Sequence, residues 1–162
     1  MPAIAVGDPA PDFEAVDHTG KPVRLSALRG RPVVIFFYPK DHTPACTAQS
    51  CGFRDVTPEL TKLGATVIGI SSDSDTSHAG FASKHSLAYP LVSDPEGRLR
   101  ALFGVPRSIF GLFPGRVTYM IDGAGIVRLV YNAQMRPGEH VRRAVEAVRK
   151  VIAAGTSDSM ES

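Results

Sequence analysis

The chain has 162 residues, 43% of them hydrophobic and 21% charged, with 18 Lys and Arg against 16 Asp and Glu. This is the length and usage of one globular domain and excludes a mostly disordered chain. A net charge of +2 is no nucleic-acid footprint, and no apolar run approaches the roughly 18–20 residues of a membrane span.

Residues 1–30 form a polar entry segment. Within it Asp12-Phe-Glu-Ala-Val-Asp alternates as a short edge strand does, His18-Thr-Gly-Lys is a turn, and Val23-Arg-Leu starts a second extended piece. The opening Met-Pro-Ala-Ile-Ala-Val-Gly-Asp has no basic stretch leading into an apolar one, so no signal peptide is read and the cytoplasm is the expected compartment. Val33-Val-Ile-Phe-Phe-Tyr is apolar without alternation, which predicts a central strand covered on both faces, stopped by Pro39. Pro44 to Leu63 has helical spacing, with Phe53, Val56, Leu60 and Leu63 on one stripe and Pro58 as its weak point. Thr66-Val-Ile-Gly-Ile predicts a second buried strand, Ser71 to Asp75 a capping run, and a short helix follows to about Lys84. Tyr89-Pro-Leu-Val is a short strand, Asp94-Pro-Glu-Gly a turn, and Arg98 to Phe103 one or two helical turns. Residues 104–115 form a loop. Val117-Thr-Tyr-Met-Ile and Ile126-Val-Arg-Leu-Val-Tyr flank Asp122-Gly-Ala-Gly as a hairpin. A last helix opens at Pro137, carries Val141, Ala144, Val145, Val148, Val151 and Ile152 on one face, and is expected to end at Gly155. The order predicts an α/β fold with a mixed sheet covered by helices on both faces. One domain over residues 1–154 is expected, with a disordered tail over 155–162.

The two cysteines, Cys46 and Cys51, are too few for a disulfide scaffold and too few for a closed zinc site without histidines. In a reducing compartment a close thiol pair is more often catalytic or redox-active than structural. Both lie where the buried strand hands over to a helix, the end of the sheet at which α/β proteins gather ligands. Thr43 is a good N-cap and Pro44 suits the first helical position, so Cys46 is the third helical residue. There the positive end of the helix dipole favours a thiolate, the nucleophilic form. A thiolate nucleophile also needs groups that stabilise the negative charge developing on whatever leaves its substrate. Helix N–H groups, the Thr43 hydroxyl and a remote arginine can supply this. On an ideal helix residues 46 and 51 stand about 8.6 Å apart at Cα and about 140° around the axis. A disulfide wants roughly 4.4–6.8 Å, so pairing requires local unwinding and would act as a conformational switch.

Pro39-x-x-x-Thr43-x-x-Cys46 resembles the active-site motif of the peroxiredoxins. Cys51, with four residues intervening, resembles the bacterioferritin-comigratory-protein (PrxQ) subfamily. The similarity takes in Gly7-Asp-Pro-Ala-Pro-Asp-Phe and Arg116-Val-Thr-Tyr-Met-Ile-Asp. The resemblance implies a thioredoxin-like fold with an N-terminal hairpin extension. It implies a thiol peroxidase for hydrogen peroxide and alkyl hydroperoxides, without cofactor or metal, recycled by thioredoxin or a similar dithiol. Cys46 would be the peroxidatic cysteine, passing through a sulfenic acid, and Cys51 the resolving cysteine of an intramolecular disulfide. Thr43 would hydrogen-bond the peroxide, Pro39 shield the thiolate, and Arg116 favour the thiolate and orient substrate. Gln49 sits where the family often has Glu or Gln in the same polar network. Ala45 replaces a frequent glycine, which favours the helix and opposes its unwinding. The apolar loop Ser108-Ile-Phe-Gly-Leu-Phe-Pro would line a substrate entrance or form a contact surface. A pair within one chain makes a monomer sufficient, with no nucleic-acid or membrane partner.

Plainer readings stand beside these. Against the catalytic reading of Cys46 stands the weaker one of an inert buried thiol, and against that of Cys51 the weaker one of a core cysteine; Pro39 also reads as a strand terminator, and the sequence alone favours Arg116 as a surface arginine. Only the resemblance sets Arg116 above Arg107 or Arg128. His42 sits in an exposed-looking turn, and Asp73-Ser-Asp75 reads as a solvated helix cap. The competing functions are a redox sensor without turnover and a disulfide oxidoreductase, whose motif would be Cys-x-x-Cys. A zinc protein is a further competitor, but His42, His78, His85 and His140 lack ligand spacing for it.

Overall fold

The computed structural model describes residues 3–106 and 115–161, with side chains described through Ala154. Its core is a five-stranded mixed sheet in the order β5-β4-β3-β6-β7, comprising β3 (Val33–Phe37), β4 (Thr66–Ser71), β5 (Leu91–Ser93), β6 (Val117–Ile121) and β7 (Val127–Asn132). β3, β4 and β5 are parallel, and β6 and β7 are antiparallel additions on the other side of β3. Strands β1 (Glu14–Val16) and β2 (Pro22–Arg24) pair as a separate antiparallel hairpin.

The unbroken apolar run of β3 follows from its central place. Val34, Phe36 and the following Tyr38 face one core, while Val33, Ile35 and Phe37 face the other, the period of two that a strand imposes. The first core is roofed by α1 (Pro44–Lys62), α2 (Asp75–His85) and α4 (Pro137–Glu161), through Phe53, Leu60, Phe81, Val141, Ala144, Val145 and Val148. The second is covered by α3 (Arg98–Phe103) and the N-terminal segment, through Leu99, Phe103, Phe13, Val23 and Leu25. Phe36 of β3 stacks on Phe53 of α1 with ring centroids 4.5 Å apart, which sets α1 on the sheet directly behind the strand's carboxyl end.

Three local expectations are corrected. Pro58 does not interrupt α1, which runs from Pro44 to Lys62 with Pro58 inside it. Tertiary packing overrides the local penalty: Phe53 and Leu60 are buried on either side of the proline, and the Thr57 hydroxyl donates to the Phe53 carbonyl at 2.7 Å. β5 begins at Leu91 rather than Tyr89, because Pro90 has no N–H for the ladder and contributes only its carbonyl, to Gly69 N. The backbone of α4 continues through Gly155 to Glu161, since no proline follows that glycine to force the chain out of the helix.

Candidate active site

Cys46 stands in the first turn of α1, at the carboxyl end of β3, and is 1% exposed. Pro44 at the helix start has no N–H. The amides of the next residues have no acceptor within the helix, as in any first helical turn, and point toward the open end. Thr43 occupies the N-cap position with extended backbone, as expected, but its hydroxyl does not cap the helix. It donates instead to the Lys40 carbonyl at 2.8 Å. With its proton committed there, its oxygen is left as an acceptor. Pro39 is half-buried between the strand end and this turn.

The connecting loop from Tyr38 to Thr43 is held by a buried polar anchor. The Tyr38 hydroxyl donates to Asp41 Oδ1 at 2.6 Å, and His78 Nδ1 and the Ser77 hydroxyl meet Asp41 Oδ2, each at 2.8 Å. The Asp41 amide in turn donates to Asp73 Oδ2 at 2.8 Å, and the Ser71 hydroxyl meets the same oxygen at 2.6 Å. Burial pushes the Asp41 carboxyl up, yet the bonds from His78 and Tyr38 outweigh it and hold the group below the ordinary carboxylate value. Desolvation drives the Tyr38 phenol well above its ordinary value, so Tyr38 stays a donor. Asp41, Asp73 and His78 bring ligand-type atoms within 4.8 Å of one another. Each already has a protein partner, so the cluster is built as a clamp on the loop. The expectation that Asp73-Ser-Asp75 is merely a solvated cap is corrected in part: Ser74 caps α2 through the Ser77 amide, whereas Asp73 holds the loop. His42 is exposed, adopts the left-handed region at φ 65°, and packs edge-on against Phe81 with centroids 5.1 Å apart.

Arg116 is the residue that turns this turn into a site. It lies immediately before β6 and is 2% exposed, which overturns its plain reading as a surface arginine. Antiparallel pairing of β6 with β3 sets Val117 opposite Phe37, so Arg116 arrives at the strand end from which α1 departs. Its Nη2 donates to Cys46 Sγ at 3.2 Å. Nη1 donates to Gln49 Oε1, one helical turn beyond Cys46, and Nε donates to the Gln134 carbonyl at 2.7 Å. The planar fork is thereby fixed on three sides, with one edge presented to the sulfur. A thiolate accepts such a charge-assisted bond far better than a thiol does. Gln49 thus lies in the polar network where the resemblance put it. Arg128 is instead paired with Asp122 at 2.7 Å. Arg107 and the loop 108–114 lie outside the described residues.

Cys51 is half-buried on the same helix, and both thiols are free. Because α1 is continuous across both, the helical separation of about 8.6 Å holds, and a bond between them requires the helix to open. Arg100 is a further positioning group that the sequence did not reveal. Its guanidinium donates to the carbonyls of Tyr38 at 2.7 Å and Gly115 at 2.9 Å, tying the β3 end to the residue before Arg116.

A family model described as the AhpC/TSA family matches residues 6–130. The chain belongs to that family. It is 44% identical over 148 residues to the chloroplastic peroxiredoxin Q of Sedum lineare, covering 91% of this chain and 80% of the relative. Among solved structures it is similar to peroxidoxin BcpB of Mycobacterium tuberculosis, with a TM-score of 0.83 and 38% identity over 91% of this chain and 98% of that one. It also resembles the bacterioferritin comigratory protein of Xanthomonas campestris, which was studied for alkyl peroxide reduction, with a TM-score of 0.79 and 30% identity over 86% and 92% of the two chains. The thioredoxin-like fold, the peroxiredoxin assignment and the peroxidase activity that the motif implied therefore stand. The cytoplasmic expectation does not: relatives of this chain, the Sedum protein among them, are chloroplastic, and the look of the first residues carries no weight against that.

Proposed function

We propose that this peroxiredoxin reduces hydrogen peroxide and organic hydroperoxides with Cys46 as the attacking sulfur. The observation that carries the reading is the buried Arg116 guanidinium donating to Cys46 Sγ at 3.2 Å in the first turn of α1. The Cys46 thiolate attacks the terminal peroxide oxygen, the O–O bond breaks, and the sulfur is oxidised by two electrons to a sulfenic acid. The departing alkoxide or hydroxide takes up a proton and leaves as alcohol or water. Arg116 and the free first-turn amides stabilise negative charge on the oxygens as it develops. The Thr43 oxygen, its own proton held by Lys40, accepts the peroxide hydrogen, and Pro39 limits water access to the sulfur.

The Cys51 thiol then displaces the sulfenic hydroxyl, releasing water and forming the Cys46–Cys51 disulfide, once the first turns of α1 have unwound. A thioredoxin-type dithiol reduces this disulfide and is itself oxidised. One domain over residues 1–154, acting as a monomer, suffices for the cycle because both cysteines sit in one helix.

The test is peroxide-dependent NADPH consumption coupled through thioredoxin reductase and thioredoxin. Turnover with the native chain and none with Cys46→Ser is expected. Absence of turnover with thioredoxin, glutaredoxin and dithiothreitol alike would refute the reading.

A further inference from the structure

Behind the Arg116–Gln49 contact the hydrogen bonds do not stop. Gln49 Nε2 lies 3.5 Å from Thr118 Oγ1, Thr118 Oγ1 lies 2.8 Å from His140 Nδ1, and His140 Nε2 lies 2.7 Å from the Ala133 carbonyl. Gln49, Thr118 and His140 are each fully buried. β6 carries two hydroxyls: Tyr119 faces the opposite core, and Thr118 is the one on the side of α1 and α4.

The chemistry of each group fixes the direction of every bond. The Ala133 carbonyl only accepts, so His140 carries its proton on Nε2. Nδ1 is then an acceptor and takes the Thr118 proton. The Thr118 oxygen is left to accept from the Gln49 amide nitrogen, which turns Gln49 Oε1 toward Arg116. Reversed, Gln49 would present its NH₂ to a guanidinium, donor against donor. Burial, with the positive Arg116 nearby, pushes His140 down to about 4 despite the Ala133 bond, so the ring is neutral at neutral pH. The titratable and charged groups around the imidazole are Arg116 at the head of β6, Tyr131 of β7, whose ring packs edge-on at 4.6 Å, and Arg143, which sits over Tyr131.

We propose that His140 is a positioning residue for the peroxidase reaction: acting through Thr118, it fixes the amide orientation of Gln49 and so holds the Arg116 fork against Cys46. The chain of contacts joins α4 to the first turns of α1 across β6. The inference rests on Cys46 being the reacting sulfur.

The experiment measures the second-order rate of Cys46 with hydrogen peroxide and the pH midpoint of Cys46 alkylation by iodoacetamide, in a Cys51→Ser background. His140→Phe keeps the ring packing and removes the acceptor, and Thr118→Val keeps the shape and removes the hydroxyl. Each is expected to slow the peroxide reaction about fivefold, the size of one ordinary hydrogen bond, and to raise the alkylation midpoint by about 0.7 pH units. The double variant is expected to be no slower than either single one, since both break one path. His140→Asn, which returns an acceptor near the Nδ1 position, is expected to recover most of the rate. A merely structural His140 would lower thermal stability and leave rate and midpoint within twofold and about 0.2 units of the parent. That result, or multiplicative losses in the double variant, overturns the proposal. Should His140→Phe not fold, Thr118→Val decides alone by the same limits. A parent whose Cys46 is itself inert to peroxide would refute the proposed function instead.

Discussion

Replacing Arg116 by lysine keeps the positive charge and removes the fork. The native guanidinium makes three bonds, to Cys46 Sγ, Gln49 Oε1 and the Gln134 carbonyl. A lysine ammonium on a shorter reach cannot span all three. A hydrogen bond with an ionised partner contributes about 1.5–3 kcal/mol, which corresponds to roughly 10- to 150-fold in rate. Because the ammonium still supplies charge near the sulfur, the lower part of that range applies, and Arg116→Lys should slow the reaction of Cys46 with peroxide about 10- to 30-fold. Stability should fall by about 2 kcal/mol as well, since at least one buried acceptor, Gln49 Oε1 or the Gln134 carbonyl, loses its partner. The chain has no tryptophan, so the rate is best followed by competition against a haem peroxidase for limiting peroxide, with the thiol state read by mass spectrometry. A peroxide rate within twofold of the native chain would refute the reasoning, whatever happened to stability.

Other outcomes follow from the same geometry. Cys51→Ser should react with peroxide at the native rate but stop at the sulfenic acid, and should over-oxidise to a sulfinic acid under excess peroxide, visible as added oxygen mass on Cys46. Acid stability should report the buried imidazole. His140 titrates near 4 when folded against an ordinary 6.5, so between those values the unfolded chain binds the extra proton and stability falls as pH falls. The depression corresponds to about 3 kcal/mol, present above pH 6.5 and lost toward pH 4. Urea titrations at several pH values should show that His140→Phe removes most of this slope over that window, and an unchanged slope would contradict the buried neutral ring. Asp41→Asn should leave the Cys46 motif intact in sequence yet loosen the loop, since the acceptor for His78 and Ser77 is weakened. Faster amide exchange at His42 and Thr43 is the readout, and unchanged exchange would remove the clamp from the account.

The elements legible in the sequence are those whose pattern is local. β3 showed itself because every position is apolar, and the β6–β7 hairpin because Asp122-Gly-Ala-Gly separates two β-branched runs. The start of α1 was legible from Thr43 and Pro44, and the placing of both cysteines on that helix from their position just after it. The passage of α1 through Pro58 was not, because propensity argues for a break there and the burial of Phe53 and Leu60 against the sheet is a tertiary fact. Arg116 reaches Cys46 across 70 positions and Gln49 across 67, so nothing local distinguished it from Arg128. The Asp41–His78 clamp and the Thr118–His140 contact are equally non-local. A single signal was present, the threonine within the apolar β6 run, since a buried hydroxyl needs a partner and a histidine in an otherwise apolar helix face is a fitting one.

The central claim is that Cys46 is an activated thiolate resolved by Cys51 through unwinding of α1. The most direct test mixes the fully reduced chain with one equivalent of hydrogen peroxide and counts free thiols with time while hydrogen exchange follows the amides of residues 44–52. Loss of both thiols is expected, far faster than free cysteine reacts, together with loss of protection at the start of α1. Thiols consumed no faster than free cysteine, or both consumed with α1 fully protected, would contradict it.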